Sequence, residues 1–281
     1  MKESSVTGLY KPGITVVAIL LIVLAFSGII DKTGEHYTDA ALKRALLTFG
    51  VARGLNGAIS VAQGTEISIS PGGIGLNLTP GEILDPINDL IERFSWVMLM
   101  SSTSLGVQKI FLNISSAWGA TFLVAAIVLL ALFVLWQPGR LNPSLRRALY
   151  KLALMLLILR FAIPVIAIAS EGVYHYFLSE QYQESTELLE NSRTEITDLN
   201  TSKPSASQVP DDAGLIDRAS RWLDNATDNL AIENRMEQYK EAASKASEHA
   251  INLIVVFVIQ TVILPLLFLW LTVRSIRRVW D

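Results

Sequence analysis

The stretch LALMLLILRFAIPVIAIAS, residues 152–170, has the length and composition of a membrane-spanning helix, yet it contains a charge. A helix needs roughly 20 apolar residues to cross a hydrocarbon layer about 30 Å thick. Arg160 lies among residues that carry no other charge, and Pro164 follows one helical turn later. The stretch therefore predicts a membrane span with a polar site inside it.

Three further apolar runs bring the predicted number of spans to four. The runs are 13–30, 118–136, 152–170 and 250–273. Trp118 and Trp136 close the second run, about 27 Å apart along a helix, which is near the separation of the two aromatic belts of a bilayer. Both tryptophans are predicted membrane-interface anchors, with the lipid bilayer as partner. The first run is long for a cleaved signal peptide, which favours an uncleaved anchor.

The composition supports an all-α polytopic membrane protein. Of the 281 residues, 51% are hydrophobic and only 17% are charged, and the mean hydropathy is +0.41. An average soluble domain carries more charge. The chain has no cysteine, which excludes disulfides, thiolate metal sites and cysteine catalysis.

The distribution of basic residues predicts the orientation of the spans. The segments 1–12, 137–151 and 274–281 together carry nine basic and two acidic residues, whereas 171–249 carries seven basic and sixteen acidic residues. Cytoplasmic segments of membrane proteins are enriched in lysine and arginine. We therefore expect a multi-pass protein of the bacterial inner membrane, with both termini and the basic loop in the cytoplasm and two large regions in the periplasm.

The first outer region, 31–117, is predicted to be structured. Apolar residues recur at helical spacing early in this region and predict an amphipathic helix suited to a membrane surface. The alternating apolar residues of 65–78, with turn residues at 71–73, predict a β-hairpin. A helix over 86–114 follows, after a capping box at 79–82 and with Pro86 at its start. The residues expected on the amphipathic face include Leu42, Leu46, Phe49 and Leu55.

The segment FSWVMLMSSTSLGVQKIFLNI, residues 94–114, is ambiguous. Its serines, Gln108 and Lys109 make it too polar for a clear span, and a fifth span would place the two termini on opposite sides. We expect a helix that lies at the outer interface or packs against the other spans. A re-entrant segment is the alternative.

The second outer region, 171–249, is predicted to form a long helical hairpin. A seam of mediocre heptad quality runs along each arm, and a turn rich in Pro, Ser and Asp separates the arms at 201–214. Because this seam is small and partly polar, packing against further copies is expected, which predicts a homo-oligomer. A solvated, mobile acidic loop is the alternative. The seam residues are Leu178, Tyr182, Ser185, Leu189, Ser192, Ile196 and Leu199 on the first arm, then Leu215, Ala219, Trp222, Ala226, Leu230, Met236, Tyr239, Ala243, Ala246 and Ala250.

An intramembrane polar contact is predicted around Arg160. Pro164 has no N–H to donate to the Arg160 carbonyl, and Pro265 has none for the carbonyl of Thr261. Counted from the cytoplasmic ends of their spans, Arg160 and Pro265 are nine residues deep, so Arg160 is expected to reach the Thr261 carbonyl or Gln260. Snorkelling toward lipid phosphate and a role in conducting or gating anions are the alternatives.

A second candidate site lies at the outer ends of spans three and four. Glu171 and His175 are four residues apart on one helix, and Glu248 and His249 precede span four. Such a cluster suits a divalent metal or a pH response, although ordinary solvated side chains are the simpler interpretation.

The motifs of the sequence, and those that it lacks, lead to a functional hypothesis. No nucleophile motif or cofactor motif is found, so a non-enzymatic protein without a cofactor is predicted. The basic clusters are accounted for by topology, so nucleic acid is not an expected partner. The leading hypothesis is a homo-oligomeric assembly, or a scaffold for a periplasmic or membrane protein partner. A channel or transporter component with Arg160 in an anion path, and an envelope sensor, are the alternatives.

Overall fold

The computed structural model describes residues 3–64, 67–69, 76–78, 80–137, 139, 141–201 and 215–280, and nearly all of this part is helical. Side chains are described for most of these residues but not for 3–9, 67–69, 76–78, 80–83, 215–233 or 279–280. The helices are α1 (Glu3–Ser27), α2 (Ile29–Gln63), α3 (Pro80–Ser116), α4 (Trp118–Trp136), α5 (Pro143–Val173), α6 (Ser179–Thr201), α7 (Leu215–Val258) and α8 (Leu264–Trp280), with π-helical turns at Tyr174–Leu178 and Ile259–Ile263.

Within the described residues, five helical stretches are long and apolar enough to cross a membrane. This agrees with the predicted multi-pass helical membrane protein. Three of the five stretches contain the predicted spans 118–136, 152–170 and 250–273, and a fourth covers the predicted span 13–30 as far as Ser27. The fifth belongs to α2, in the first predicted outer region. The stretches are Tyr10–Ser27, Ile29–Gln63, Trp118–Trp136, Pro143–Thr201 and Asn234–Arg278.

Two short strands connect α2 to α3. β1 (Ile67–Ile69) pairs antiparallel with β2 (Leu76–Leu78), and Ile67 lies opposite Leu78. The predicted turn at 71–73 and the predicted capping residue Thr79 lie outside the described residues. The hairpin over 65–78 as a whole therefore stays a prediction.

Two helix boundaries differ from the predicted span limits. α1 ends at Ser27, and Gly28 adopts a left-handed conformation with φ of +64°, which glycine tolerates because it has no Cβ. α2 then begins at Ile29 without an intervening loop. α5 begins at Pro143, nine residues before the predicted start of span three, because proline is well suited to the first position of a helix.

The chain divides into two compact units. Unit 1 comprises 1–44, 101–177 and 258–281, and unit 2 comprises 45–100 and 178–257. The two predicted outer regions thus contribute together to unit 2.

Small residues line the contact between the apolar helices of unit 1. Ala18 of α1, Ala131 of α4 and Ala153 of α5 belong to one buried cluster, and small side chains let helices approach closely in a membrane. α1 and α4 run antiparallel, as two contacts show. The rings of Phe26 and Phe122 lie 5.1 Å apart, and Trp136 Nε1 donates to Thr15 Oγ1 at 3.2 Å.

Unit 2 contains segments of four helices. Asn200 Nδ2 of α6 donates to Ala58 O of α2 at 2.9 Å, and Thr48 lies 3.5 Å from Tyr182, so α2 and α6 run in the same direction. Tyr239 OH of α7 donates to Asn200 Oδ1 at 3.0 Å, while the ring of Tyr182 contacts that of Phe257. α7 therefore runs opposite to α6.

Most of the described side chains of the predicted seam in the second outer region are buried. Five belong to the first arm and four to the second. For the described residues 178–201 and 234–249, this burial favours packed helices over a mobile loop. Thr201 of the predicted turn at 201–214 is the last residue of α6. The rest of that turn lies outside the described residues, as do the seam side chains from Leu215 to Leu230. The buried seam residues are Leu178, Ser185, Leu189, Ser192, Ile196, Tyr239, Ala243, Ala246 and Ala250.

One face of α2 is buried within the protein. Of the residues predicted on the amphipathic face, Leu46 is 51% exposed, whereas Leu55 is buried. Residues on the buried face recur every three or four positions, and most of them are small, so that neighbouring helices can pack closely against this face. The buried face consists of Ala41, Ala45, Thr48, Ala52, Leu55, Ile59 and Ala62.

Candidate functional site

Arg160 forms a buried ion pair within unit 1. Its Nη1 donates to Asp31 Oδ1 at 2.7 Å, and its Nη2 donates to Asp31 Oδ2 at 2.5 Å. The Ala25 carbonyl accepts a longer bond from Nη2 at 3.4 Å. Arg160 is only 3% exposed. Two parallel, charge-assisted bonds are the strong geometry for arginine and a carboxylate, so the charge of Arg160 is neutralised inside the protein.

This partner differs from the expected one. The guanidinium contacts α1 and α2 rather than Thr261 or Gln260 of span four. α5 begins at Pro143, within the predicted basic loop. Arg160 therefore lies about 26 Å from the start of its helix, and roughly 13 Å of that length follows Lys151. At that height it reaches Asp31, just beyond the predicted end of span one.

The carbonyl oxygen that Pro164 cannot bond receives a hydrogen bond from another helix. Ser115 Oγ of α3 donates to Arg160 O at 3.0 Å. An unpaired backbone carbonyl inside a membrane protein lowers stability by roughly several kcal/mol. Ser115 therefore compensates for the N–H that Pro164 lacks.

Pro265 has a closely similar arrangement. Ser104 Oγ of α3 donates to Thr261 O at 3.3 Å, the carbonyl for which Pro265 has no N–H. The hydroxyl of Thr261 also donates to Ser101 Oγ at 3.3 Å. Gln260 and Thr261 are both buried, in the π-helical turn that precedes Pro265.

These bonds explain the polarity of the ambiguous segment 94–114. Ser101 and Ser104 lie on the part of α3 that packs against the last predicted span, and Ser115 packs against α5. Of the two expected arrangements, packing against the other spans is therefore the one found for 101–116. Serines of α3 thus bond both of the carbonyls that lack a donor because of Pro164 and Pro265. The sequence had predicted a different connection, in which Arg160 reached the Thr261 carbonyl.

A second buried charge pair lies at the predicted outer end of span three. Arg44 donates to both oxygens of Glu171, at 3.1 and 2.6 Å, and Glu171 is 3% exposed. The Arg44 guanidinium lies 3.8 Å from the ring centre of Tyr174, a cation–π contact. His175 Nε2 approaches Glu171 Oε1 at 3.3 Å, but the His175 side chain is 64% exposed.

The other two residues of the predicted metal or pH site, Glu248 and His249, belong to unit 2, whereas Glu171 and His175 belong to unit 1. Glu248 is exposed, and His249 Nδ1 is buried and has no hydrogen-bond partner among the described residues. Nowhere in the described part of the chain do three or more His, Asp or Glu side chains form a group that could hold a metal ion. Because Glu171 already binds a cationic arginine, a divalent cation there would meet charge repulsion.

A third ion pair is more exposed. Lys109 Nζ lies 2.6 Å from Asp39 Oδ1, and both side chains are more than one-third exposed. The hydrogen bond to Asp39 raises the pKa of Lys109 above its ordinary value. Exposed pairs of this kind contribute little to stability, so this pair is less informative than the two buried ones.

The two predicted interface anchors are exposed at the ends of α4. Trp118 is 73% exposed and Trp136 is 57% exposed. Such exposure at both ends of an apolar helix is what aromatic belts require.

Sequence reasoning missed Asp31, Arg44 and the serines of α3 as site residues. Asp31 carried a usable signal, since it is the first charged residue after the first apolar run. The polar residues of 94–114 carried another, because a helix that is neither a clear span nor clearly soluble must satisfy its hydroxyls somewhere. Neither signal identifies the partner.

No protein-family model, curated protein or solved structure matches this chain.

Proposed function

We propose that this protein is a non-enzymatic, multi-pass membrane protein that forms a homo-oligomeric assembly or scaffold. The observation that carries the proposal is the pairing of Arg160 with Asp31 at 2.5 and 2.7 Å. An arginine that tunes anion passage needs a guanidinium that an anion can reach, whereas this guanidinium already binds a carboxylate. Charge pairs that join helices from distant parts of the chain suit a structural role.

Exposed apolar side chains on unit 2 support assembly. Leu46 and Leu47 of α2 and Trp96 and Met100 of α3 are each more than half exposed. Gln63 Nε2 bonds Asp85 Oδ1 at 2.7 Å where the two helices meet. Leu47 is sixteen residues from Gln63 and Met100 is fifteen residues from Asp85, so both lie about the same distance along their helices from that bond. Exposed apolar patches commonly mark interaction surfaces, and a second copy of the chain is the proposed partner.

Oligomeric state in detergent tests this proposal. Native mass spectrometry of the full chain in mild detergent should give a mass of at least two copies. Trp96→Glu should weaken the assembly, because it places a charge at the centre of the proposed contact. Glu187→Arg, a charge change at an exposed residue of α6, outside the proposed contact, is the control and should leave the mass unchanged. A monomeric unmodified protein, or equal effects of the two variants, would contradict the proposal.

We further propose the four-span topology, in a bacterial inner membrane with both termini cytoplasmic. α2 is the least apolar of the five candidate stretches, with a hydropathy of 1.3, and it carries seven charged residues. A fifth span would also place the basic C-terminal tail on the opposite side from the basic N-terminal tail, against the usual distribution of lysine and arginine.

Cysteine labelling tests this topology directly, since the natural chain has no cysteine. In intact cells with a permeable outer membrane, a membrane-impermeant maleimide should label Glu187→Cys and Gln63→Cys. It should label Lys11→Cys and Ser275→Cys only after the inner membrane is opened. Labelling of Ser275→Cys in intact cells would contradict the proposed orientation.

A channel or transporter component is the second candidate. The observation that favours it is the interrupted geometry of the span-four helix, where the π-helical turn Ile259–Ile263 ends two residues before Pro265. π-helical turns and broken helices often occur at functional sites. Anion flux in liposomes containing the purified protein would favour this candidate over a scaffold, which gives none.

A further inference from the structure

A small cavity lies inside unit 1, where residues from four helical segments meet. Its volume is about 10 Å³, close to the minimum that one water molecule requires. A lipid headgroup or an organic ligand is far too large for it. The residues that bear on its chemistry are Thr38 of α2, Gln108 of α3, Ser170 and Glu171 of α5, and Gln260 of the π-helical turn.

Two oxygens of these lining residues have unmet hydrogen-bonding capacity. Ser170 Oγ and Gln260 Oε1 are buried, and neither has a hydrogen-bond partner in the described part of the chain. Ser170 is 8% exposed and Gln260 is 3% exposed. Buried polar atoms of native proteins are nearly always paired, with protein groups or with ordered water. Two such atoms on one cavity indicate a shared ligand.

The chemistry of the cavity restricts that ligand. A side-chain amide oxygen can only accept a hydrogen bond, whereas a serine hydroxyl can donate or accept. The ligand must therefore donate to Gln260 Oε1. Thr38 Oγ1 donates to Gly34 O at 2.8 Å, so its lone pairs remain available as a further acceptor.

The charges around the cavity favour a neutral ligand over an ion. Glu171 lines the cavity, but both of its oxygens bind Arg44, so the pair is neutral. A cation would add an uncompensated buried charge, which is costly. An anion would face the acceptor oxygen of Gln260. A small neutral molecule that both donates and accepts fits these constraints.

We propose that this cavity binds one ordered water molecule, which donates to Gln260 Oε1 and accepts from Ser170 Oγ. The water links α5 to the π-helical turn of span four. It satisfies two oxygens that helix packing has removed from solvent, in the way that buried waters ordinarily do.

Structure determination of the full chain, at a resolution that resolves bound water, tests the proposal directly. A single density peak is expected about 2.6–3.2 Å from both Ser170 Oγ and Gln260 Oε1. Absence of a peak overturns the proposal. A peak with several oxygens at about 2.0–2.6 Å, the range of metal–oxygen bonds, also overturns it in favour of a cation.

A double-mutant cycle gives an independent test, because the water should couple two residues that do not bond each other. We expect Ser170→Ala and Gln260→Met each to raise the unfolding equilibrium constant. The double variant should raise it about fivefold less than the product of the single effects. Ser185→Ala combined with Gln260→Met is the control, since Ser185 does not line the cavity, and its effects should multiply. Multiplicative effects for the Ser170 pair would overturn the proposal.

Discussion

Arg160 and Asp31 form a buried, two-point ion pair although 129 residues separate them in the sequence. The pair joins the third predicted span to the start of α2, immediately after the left-handed Gly28 that separates α1 from α2. Its position explains why an arginine is tolerated in an apolar stretch, since a charge inside a membrane protein is retained where a partner is available.

Breaking this pair from one side should strongly destabilise the fold. Asp31→Asn leaves the Arg160 cation buried without its counter-ion, and removing one member of a buried pair costs about 3–5 kcal/mol. The free energy of unfolding in mixed detergent micelles, measured by titration with a denaturing detergent, would report the loss. Asp31→Leu combined with Arg160→Leu removes both charges and should cost less than either single change. A double variant as unstable as the sum of the singles would refute the pairing.

The hydroxyl of Ser115 should matter only while residue 164 is proline. Ser115→Ala removes the donor to Arg160 O and should cost about 1–3 kcal/mol, because a buried carbonyl loses its bond. In a Pro164→Ala background the new N–H can bond that carbonyl, so the same change should cost much less. Thermal unfolding of the four variants measures the difference. Ser116→Ala is the control, since Ser116 donates to the carbonyl of Asn113 in its own helix.

Gly34 should resist substitution, whereas Gly50 on the same helix should accept it. A Cβ on Gly34 would lie 3.1 Å from Leu112 Cδ1 and 3.2 Å from the Pro164 backbone, while nothing lies within 4 Å of one on Gly50. Gly34→Ala should therefore destabilise by about 1–3 kcal/mol through overpacking. Gly50→Ala should stabilise by about 0.5–1 kcal/mol through helix propensity. Melting temperatures that shift in the same direction would argue against this packing.

The ion pair between Glu171 and Arg44 should contribute more to the free energy of unfolding than the neighbouring His175 does. Glu171→Gln weakens a bidentate, buried interaction and should cost about 2–4 kcal/mol. His175→Ala should cost under about 0.5 kcal/mol, since the His175 side chain is 64% exposed. Unfolding at neutral pH compares the two variants. A larger effect of His175→Ala would restore the interpretation of this cluster as a site centred on histidine.

Much of the helical architecture could be predicted from the spacing of apolar residues along the sequence, because that spacing reflects the geometry of a helix. The apolar runs at 118–136 and 250–273 are long enough for spans, and the seam through Leu189 and Ile196 repeats at the spacing of a packed helix face. These features depend only on neighbours within a few turns. The prolines at 164 and 265 likewise mark, by chemistry alone, which carbonyls need another donor.

By itself the sequence determined that the chain is built from long apolar helices, that Arg160 must be compensated, and that two carbonyls lack their helical donors. Only the tertiary structure decided that Asp31, rather than span four, binds Arg160. It also decided that Ser104 and Ser115 donate hydrogen bonds to the two carbonyls. The physical reason is that periodicity specifies the faces of one helix, whereas partners depend on how distant helices pack. Close packing also decided which face of α2 is buried, and most residues on that face are small because small side chains let neighbouring helices approach.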